Sequence, residues 1–247
     1  MIKGVVLAGG RGTRLRPFTH LINKHLLPVY DKPLIYYPLL AMKAAGIKEV
    51  LLTSNGEDLS SFRRLLGDGE EFNLKITYAA QDGPKGIAHA LALAEKFADG
   101  AKIAVMLGDN IFTNHEQIKN GVLEFLKDGG ARLFLKEVPD PERFGIAEVQ
   151  EAKIKTITEK PKNPVSNLAV TGLYLYDSDV FGVVKTLKPS ERGELEITDV
   201  NNYYVKNGSA RYDVVQGEWI DAGTFDSLVH ASMLMLKKNK EFPVDIS

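Results

Sequence analysis

The feature that most constrains the fold is a regular alternation of short apolar runs and helical patterns through the first 107 residues. Apolar residues predict buried strands at 2–8 and 49–54, and further strands are predicted at 75–80 and 102–107. Segments with a helical period lie between them, at 33–45, 57–66 and 87–97. Because short connections between such elements form right-handed crossovers, this alternation predicts a mostly parallel sheet covered by helices.

The pattern changes from residue 131 onward to closely spaced strand candidates, which predict hairpins and mixed strand pairing. The candidate strands are 131–138, 144–149, 153–159, 170–176, 211–215 and 219–220, with helices expected at 194–206 and 224–238. No repeat and no linker rich in Ser, Pro or Gly divides the chain. We therefore expect one α/β domain over residues 1–247, with a Rossmann-like, mostly parallel mixed sheet flanked by helices and a strand-rich second half.

Charge and composition exclude several classes of function. The chain has 31 Lys and Arg against 32 Asp and Glu, and no Cys. A formal net charge of −1 gives no global attraction to a nucleic-acid polymer or a membrane, so an anionic partner must bind at a local site. The run 34–45 contains Lys43 and is shorter than the ~20 residues of a membrane span. Residues 1–8 resemble a strand more than a secretory signal, and a cytoplasmic location is expected.

A loop rich in glycine and arginine follows the first strand, with the sequence Gly-Gly-Arg-Gly-Thr-Arg-Leu-Arg over residues 9–16. Glycines let the backbone approach a ligand closely, and the arginines supply charge that suits a polyphosphate. The loop is not a Walker A motif, and Leu15 occupies the third glycine position of the dinucleotide fingerprint. Glycines alone are equally compatible with a tight turn, but a turn does not require three arginines.

The loop begins a series of motifs that keep one order along nearly the whole chain: 7–17, 23–29, 32–33, 107–110, 140–145, 159–161, 170–174, 192–199 and 219–224. Together they resemble the signature of sugar-1-phosphate nucleotidyltransferases. Within that family the similarity is greatest to the branch that uses dTTP and α-D-glucose 1-phosphate. The resemblance implies a Mg²⁺-dependent enzyme, in which about 1–130 bind the nucleoside triphosphate and about 131–247 bind the sugar 1-phosphate.

The resemblance also implies roles for individual residues, and three of them, Arg14, Lys24 and Asp109, are the expected catalytic residues. The expected nucleotide-binding residues are Gly9, Gly10, Gly12, Thr13, Arg14, Lys24, Gln81, Gly86 and Asp109. Gln81 and Gly86 are assigned to the base, because an amide and nearby backbone groups complement the edge that thymine and uracil share. The expected sugar-phosphate residues are Asn110, Gly145, Glu159, Lys160, Val170 and Arg192.

The resemblance also implies that Asp109 and Asp221 are the Mg²⁺ ligands, and this ion takes one or two carboxylates together with water and phosphate oxygens. An Asp shortly before a helix is equally typical of an N-cap, which leaves two interpretations of Asp221. His25 and Phe144 replace the glutamine and tyrosine usual in the family. The five histidines lack metal-ligand spacing, so each is expected on the surface or hydrogen-bonded in the core.

Three alternatives stay open at this point. The enzyme could use UTP, or an amino-sugar or mannose phosphate, or the chain could be a non-catalytic regulatory subunit on the same fold. The chain ends at Ser247 soon after the last predicted helix, which resembles a short form of the family. For that form we expect product inhibition at the active site without a second nucleotide site. A homo-oligomer is plausible because 18–29 and the C-terminal helix carry apolar surface.

Overall fold

The computed structural model describes residues 1–241. Its α-helices are α1 (Tyr36–Ala44), α2 (Leu59–Leu66), α3 (Ile87–Ala92), α4 (Glu95–Ala98), α5 (His115–Asp128), α6 (Val180–Thr186), α7 (Ile197–Lys206) and α8 (Phe225–Glu241). Its strands are β1 (Ile2–Leu7), β2 (Pro28–Val29), β3 (Lys32–Pro33), β4 (Glu49–Asn55), β5 (Lys75–Gln81), β6 (Lys102–Leu107), β7 (Asn110–Phe112), β8 (Ala131–Glu137), β9 (Gly145–Gln150), β10 (Lys153–Glu159), β11 (Leu168–Tyr176), β12 (Ala210–Val214) and β13 (Trp219–Asp221).

A nine-stranded mixed sheet forms the centre of the fold. Strands β6, β1, β4 and β5 are neighbours in that order and run parallel. Strand β11 pairs antiparallel with β6 and with β8, while β9 and β10 form a hairpin at one edge of the sheet. The predicted α/β class, with a flanked mixed sheet and a strand-rich second half, is confirmed.

The first strand shows why its sequence is apolar at every position. Val5 and Leu7 belong to a core cluster on one face of the sheet, which also contains Leu91 of α3. Val6 packs on the opposite face with Leu39 of α1. Because helices cover both faces, neither side of β1 is available for polar side chains. Because β1, β4, β5 and β6 run parallel, their carboxyl ends lie at one edge of the sheet, where the glycine-rich loop begins.

The structure corrects several element boundaries. The predicted helix at 33–45 begins only at Tyr36, because Lys32–Pro33 pair with Pro28–Val29 in a short hairpin. The predicted helix at 87–97 is two helices, α3 and α4. Helix α5 was not predicted at all. Its N-terminus is capped by the Asn114 side chain, which accepts a hydrogen bond from the Gln117 amide.

In residues 1–241, no helix has the length and apolarity to cross a membrane.

A two-stranded ribbon beyond the end of β6 brings distant parts of the sequence together. Strands β7 and β13 pair antiparallel, with Asp221 opposite Asn110. The amide of Ala222 also donates to the carbonyl of Asp109, at 2.9 Å. This ribbon therefore places the two predicted metal-binding aspartates at the same edge of the sheet.

Candidate active site

A single cavity at the carboxyl ends of the parallel strands contains most of the predicted site residues. Those that line it are Gly9, Gly10, Arg14, Lys24, Gln81, Gly86, Asp109, Asn110, Gly145, Glu159, Lys160, Val170, Arg192 and Asp221. Gly12 and Thr13 lie in the same loop but do not line the cavity. Residues from both halves of the chain thus converge on one site.

The glycine-rich loop has a backbone conformation that its glycines permit. Gly12 lies in the left-handed region, with φ of 56°, where side chains with a β-carbon are disfavoured. A β-carbon at Gly12 would also lie 2.8 Å from Thr19 Cγ2, while the Thr19 hydroxyl donates to the Gly12 carbonyl at 2.8 Å. Leu15, fully buried, anchors the end of the loop in the core. These contacts hold Arg14 at the mouth of the cavity.

Lys24 and Asp109 form an ion pair inside the cavity. Their Nζ and Oδ2 atoms are 2.5 Å apart, and the Asn110 side-chain amide donates to Asp109 Oδ1 at 3.0 Å. Burial alone would raise the pKa of Asp109, but the Lys24 ammonium and these hydrogen bonds hold it below its ordinary value. Asp109 is therefore an ionised carboxylate at neutral pH.

Asp221 ends β13 and is not a helix cap. Helix α8 is capped instead by Thr224, whose Oγ1 accepts a hydrogen bond from the Ser227 amide at 3.2 Å. The N-cap interpretation of Asp221 is wrong. Burial raises the pKa of the Asp221 carboxyl, and the nearby charge of Asp109 raises it further. A β-carbon at Gly223 would lie within 3 Å of both Asp221 Oδ1 and an Arg14 guanidinium nitrogen, so these two side chains approach the same point.

His25 is a hydrogen-bonded core residue on the wall of the cavity. It is 1% exposed, and its Nδ1 donates to Asn23 Oδ1 at 2.7 Å. Burial, assisted by the neighbouring Lys24 ammonium, lowers the pKa of His25 to about 3. The imidazole is therefore neutral at pH 7, and its side chain adds no positive charge to the site.

On the opposite side of the cavity, Glu159 is held by two other side chains. The Thr198 hydroxyl donates to Glu159 Oε2 at 2.6 Å, and the Arg192 guanidinium lies 3.3 Å from Oε1. Arg192 also forms a 2.8 Å ion pair with Glu196. Lys160, next along the chain, has a left-handed backbone with φ of 43°. Such a conformation is unusual for a residue with a β-carbon and recurs at ligand-binding positions.

Asn110 links the two sides of the cavity. Its Oδ1 accepts hydrogen bonds from the Gly172 amide at 3.0 Å and from the Trp219 indole at 2.6 Å, while its amide group donates to Asp109. Trp219 then packs edge-to-face on Phe144, with ring centroids 5.2 Å apart. Neither aromatic residue was among the expected binding residues, although the sequence shows Phe144 in place of the tyrosine usual in the family. Trp219 could have been found, since it lies two positions before Asp221 and therefore on the same face of a strand.

The sequence candidates for base binding lie at the end of β5. The Gln81 side chain covers Gly9 so closely that a β-carbon there would be 2.2 Å from Gln81 Oε1. Gly86 packs against the backbone of Leu195, and a β-carbon would lie 2.4 Å from its carbonyl oxygen. The Leu195 amide donates to the Lys85 carbonyl at 2.9 Å, and the Leu195 carbonyl accepts from the Ala88 amide at 3.2 Å. The loop after β5 is thus tied to the segment before α7.

The charged side chains of the cavity are balanced. Five cations and five carboxylates line it: Arg14, Lys24, Arg143, Lys160 and Arg192, with Asp109, Glu159, Glu194, Glu196 and Asp221. The side chains of the cavity therefore supply no excess of positive charge for a polyanion.

Comparison with known proteins identifies the family of the chain. Residues 3–238 match the family described as nucleotidyl transferase. The chain is 45% identical over 234 residues to a glucose-1-phosphate thymidylyltransferase of Neisseria meningitidis, covering 94% of this chain and 81% of that protein. A Mycobacterium tuberculosis protein of the same name is 43% identical, with the same coverage.

Solved structures extend the similarity to the fold. A Bacillus anthracis structure, assigned as a glucose-1-phosphate thymidylyltransferase in complex with a sucrose, has a TM-score of 0.91 at 48% identity, with 95% of each chain covered. A UDP-glucose pyrophosphorylase complexed with UDP-glucose has a TM-score of 0.85 at 26% identity, covering 96% of this chain and all of that one. The family inferred from the motifs is confirmed: the chain is an enzyme that belongs to the nucleotidyl transferase family.

Proposed function

We propose that this enzyme transfers a nucleotidyl group from dTTP to α-D-glucose 1-phosphate in a Mg²⁺-dependent reaction, giving dTDP-glucose and pyrophosphate. The observation that carries the proposal is the convergence of Arg14, Lys24, Asp109 and Asp221 with Glu159 in one cavity. Its support is the 43–48% identity to proteins named for this activity.

The reaction is a substitution at the α-phosphorus of the triphosphate. An oxygen of the sugar phosphate forms the new bond to phosphorus, and the bond to the β-phosphate oxygen breaks, with its electron pair leaving on pyrophosphate. Both reactants are anions, so the protein contributes mainly positioning and charge. Arg14 can bind phosphate oxygens as a fork, and the Lys24 ammonium supplies a compact charge near the reacting phosphorus.

The residues present fit a magnesium ion. Asp109 and Asp221 provide two hard carboxylate donors at the β7–β13 ribbon, and Mg²⁺ completes its coordination with water and phosphate oxygens. When bound, the ion would supply positive charge that offsets the charge of the phosphates. The balanced charges of the cavity favour such a requirement, because the side chains alone bring no excess of cations. Lys24, paired with Asp109 in the free enzyme, is within the same cavity to bind a phosphate.

The sugar phosphate is assigned to the side of the cavity formed by Gly145, Glu159 and Val170. Glu159 can accept hydrogen bonds from sugar hydroxyls, and Lys160 and Arg192 can bind the 1-phosphate. Arg192 is already paired with Glu196, so phosphate binding would compete with that ion pair. Lys160 is the less restrained of the two cations, since its nearest carboxylate oxygen, on Glu159, is 3.7 Å away.

UTP is the second candidate nucleotide, favoured by the similarity to UDP-glucose pyrophosphorylase. Thymine and uracil share the edge that Gln81 is proposed to bind, and a single methyl group changes specificity by only ~10-fold to a few hundredfold. We therefore expect both dTTP and UTP to be substrates, with dTTP modestly preferred. CTP, ATP and GTP should be poor, since a base that leaves buried polar groups unpaired is rejected by ~10⁴-fold.

The test measures kcat/KM for five triphosphates with glucose, glucosamine and mannose 1-phosphates, with and without Mg²⁺. The proposal predicts the highest value for dTTP with glucose 1-phosphate and loss of turnover after chelation of divalent ions. Comparable efficiency with ATP or CTP would contradict the nucleotide assignment. In the same assay Gln81→Ala should reduce the discrimination between triphosphates, and an unchanged ranking would remove Gln81 from the base site.

We also propose that two copies of the chain associate through α8. Phe225, Val229 and Met233 form an exposed apolar stripe along this helix, and Phe18 extends it, with its ring centroid 5.9 Å from that of Phe225. A second copy fits this stripe because Asp226 lies near the start of the helix and exposed lysines lie near its end. Two α8 helices packed antiparallel would place opposite charges together at both ends of the contact.

Light scattering after gel filtration tests this association. The wild-type chain should have a multiple of its 27.3 kDa mass, and Val229→Glu combined with Met233→Glu should yield the monomer. Leu123→Glu, on an exposed position of α5, is the matched control and should leave the mass unchanged. A monomeric wild type, or a double variant that keeps its mass, would contradict the proposal.

A cytoplasmic location stays a prediction.

A further inference from the structure

One buried side chain at the cavity has a hydrogen-bond donor that the protein does not use. Asn201, on α7, is 1% exposed and lines the cavity. Its Nδ2 has no hydrogen-bond partner, one of three such buried side-chain atoms in the described part of the chain. A buried donor without a partner is costly, and nearly all such groups in folded proteins are paired. This side chain therefore needs an explanation.

The orientation of the Asn201 amide is fixed by a column of tyrosines. The Tyr176 hydroxyl donates to Asn201 Oδ1 at 2.5 Å. The Tyr176 ring is stacked between those of Tyr174 and Tyr204, with centroid distances of 6.0 and 5.7 Å. A reversed amide would leave the buried Tyr176 hydroxyl hydrogen without this acceptor. Oδ1 consequently faces Tyr176, and Nδ2 is the group left for the cavity.

The part of the cavity next to Asn201 is the part assigned to the sugar. Thr198 precedes Asn201 by one helical turn and lies on the same face of α7, so the two side chains are neighbours. The Thr198 hydroxyl binds Glu159, and a β-carbon at Gly145 would lie 3.2 Å from the same hydroxyl oxygen. Asn201 thus neighbours Thr198, which contacts Glu159 and Gly145, and all four residues line the same cavity.

We infer that Asn201 is a specificity-determining residue, whose Nδ2 donates a hydrogen bond to one hydroxyl oxygen of the bound hexose. The inference rests on the proposed function, which places the hexose on this side of the cavity. A hexose hydroxyl is the chemistry that suits the site, because it accepts a hydrogen bond while adding no charge beside Glu159 and Glu196. The acceptor removes the cost of the unpaired donor only when the sugar is bound.

The test compares sugar 1-phosphates that lack single hydroxyl groups, in the wild type and in variants. The parent is the sugar 1-phosphate with the highest kcat/KM in the wild type, and its 2-, 3-, 4- and 6-deoxy analogues form the series. Asn201→Leu removes the donor while keeping a similar side-chain shape. Asn201→Ser serves as a second, smaller variant if the first does not fold. Tyr204→Phe is the matched control, because it removes another hydrogen bond of the tyrosine column, from the Tyr204 hydroxyl to Asp177 Oδ1 at 2.8 Å, and leaves the bond between Tyr176 and Asn201 in place.

We expect one deoxy analogue to lose about threefold to tenfold in kcat/KM with the wild type, as a neutral hydrogen bond contributes. This loss should disappear in Asn201→Leu and persist in Tyr204→Phe, with the KM for the triphosphate little changed in both. The inference is refuted if an active Asn201 variant keeps the wild-type losses for all four analogues. It is also refuted if Tyr204→Phe abolishes the same loss, which would indicate that the loss reflects the structure of the tyrosine column and not the Asn201 donor. A wild type that uses no sugar 1-phosphate would refute the proposed function itself, and the inference with it.

Discussion

Replacement of His25 by glutamine should remove a specific part of the pH dependence of stability. In the folded protein His25 is buried and neutral, with its pKa lowered to about 3 from an ordinary value of 6.5. In the unfolded chain the imidazole takes up a proton below pH 6.5. The unfolded state therefore binds one more proton between these two values, and stability falls as the pH is lowered through this window.

The magnitude follows from the size of the shift. Each pKa unit corresponds to about 1.4 kcal/mol, so His25 should lower the free energy of unfolding by about 2 kcal/mol between pH 7 and pH 5. At pH 7.5 the imidazole is neutral in both the folded and the unfolded state, so His25 contributes almost nothing to the pH dependence of stability there. Glutamine keeps a polar side chain next to Asn23 but cannot take up a proton, and it is the residue usual in the family at this position.

Urea unfolding at pH 7.5, 6 and 5, in buffer without divalent ions, measures the effect. The free energy of unfolding of His25→Gln should change less between pH 7.5 and 5 than that of the wild type, by about 2 kcal/mol. Carboxylates titrate in both proteins and cancel in the difference. Parallel pH profiles for the two proteins would refute the reasoning, since they would mean that His25 is protonated equally in the folded and unfolded states.

Three further predictions concern the site and the sheet. Asp109→Asn should lower kcat by ~10²-fold or more, because it removes a charge that acts on the phosphates and metal; near-normal turnover at saturating Mg²⁺ would exclude the metal role. Lys160→Ala should raise the KM for the sugar phosphate and spare that for the triphosphate, and an effect on the triphosphate alone would reverse the assignment of the two halves. Glu151 and Ala152 form the tight turn between β9 and β10 with φ of 50° and 56°, so Glu151→Asn with Ala152→Gly should add about 1 kcal/mol of stability. Calorimetry should measure a Tm about 2–4 °C higher for the double variant, whereas an unchanged or lower Tm would contradict backbone strain in this turn.

The parts of the fold that could be predicted from sequence are those with strong local patterns. Strands β1, β4 and β6 consist mainly of buried residues and are predictable from their apolar pattern, whereas β5 is an edge strand in which only Ile76 is buried. Helix α5 was missed although Ile118, Val122 and Phe125 have helical spacing, because polar and charged residues separate these three apolar positions. Ribbon β7–β13 has no local signal, since each strand has three residues and its partner is over a hundred positions away.

The candidate site also has features that the sequence predicted and features that it did not. The resemblance of the motifs to the family identified most of the residues that meet in the cavity, including Asp109 and Asp221. It could not identify the ion pair between Lys24 and Asp109, or the three hydrogen bonds of Asn110, because these depend on how distant segments pack. Asn201 carries no motif signal for the sugar site, and its relevance depends on a donor atom whose environment only the folded chain defines.

The backbone contacts of Leu195 have a thermodynamic consequence. The Leu195 backbone forms hydrogen bonds with the backbones of Lys85 and Ala88. In sequence Leu195 lies between Arg192 and Ile197, which line the cavity, so one peptide segment borders both proposed substrate sites. A rearrangement of this segment that accompanies binding at one site would change the free energy of binding at the other, and such linkage is reciprocal. Gly86 allows this close backbone contact, and a larger residue there would displace the segment that borders both sites.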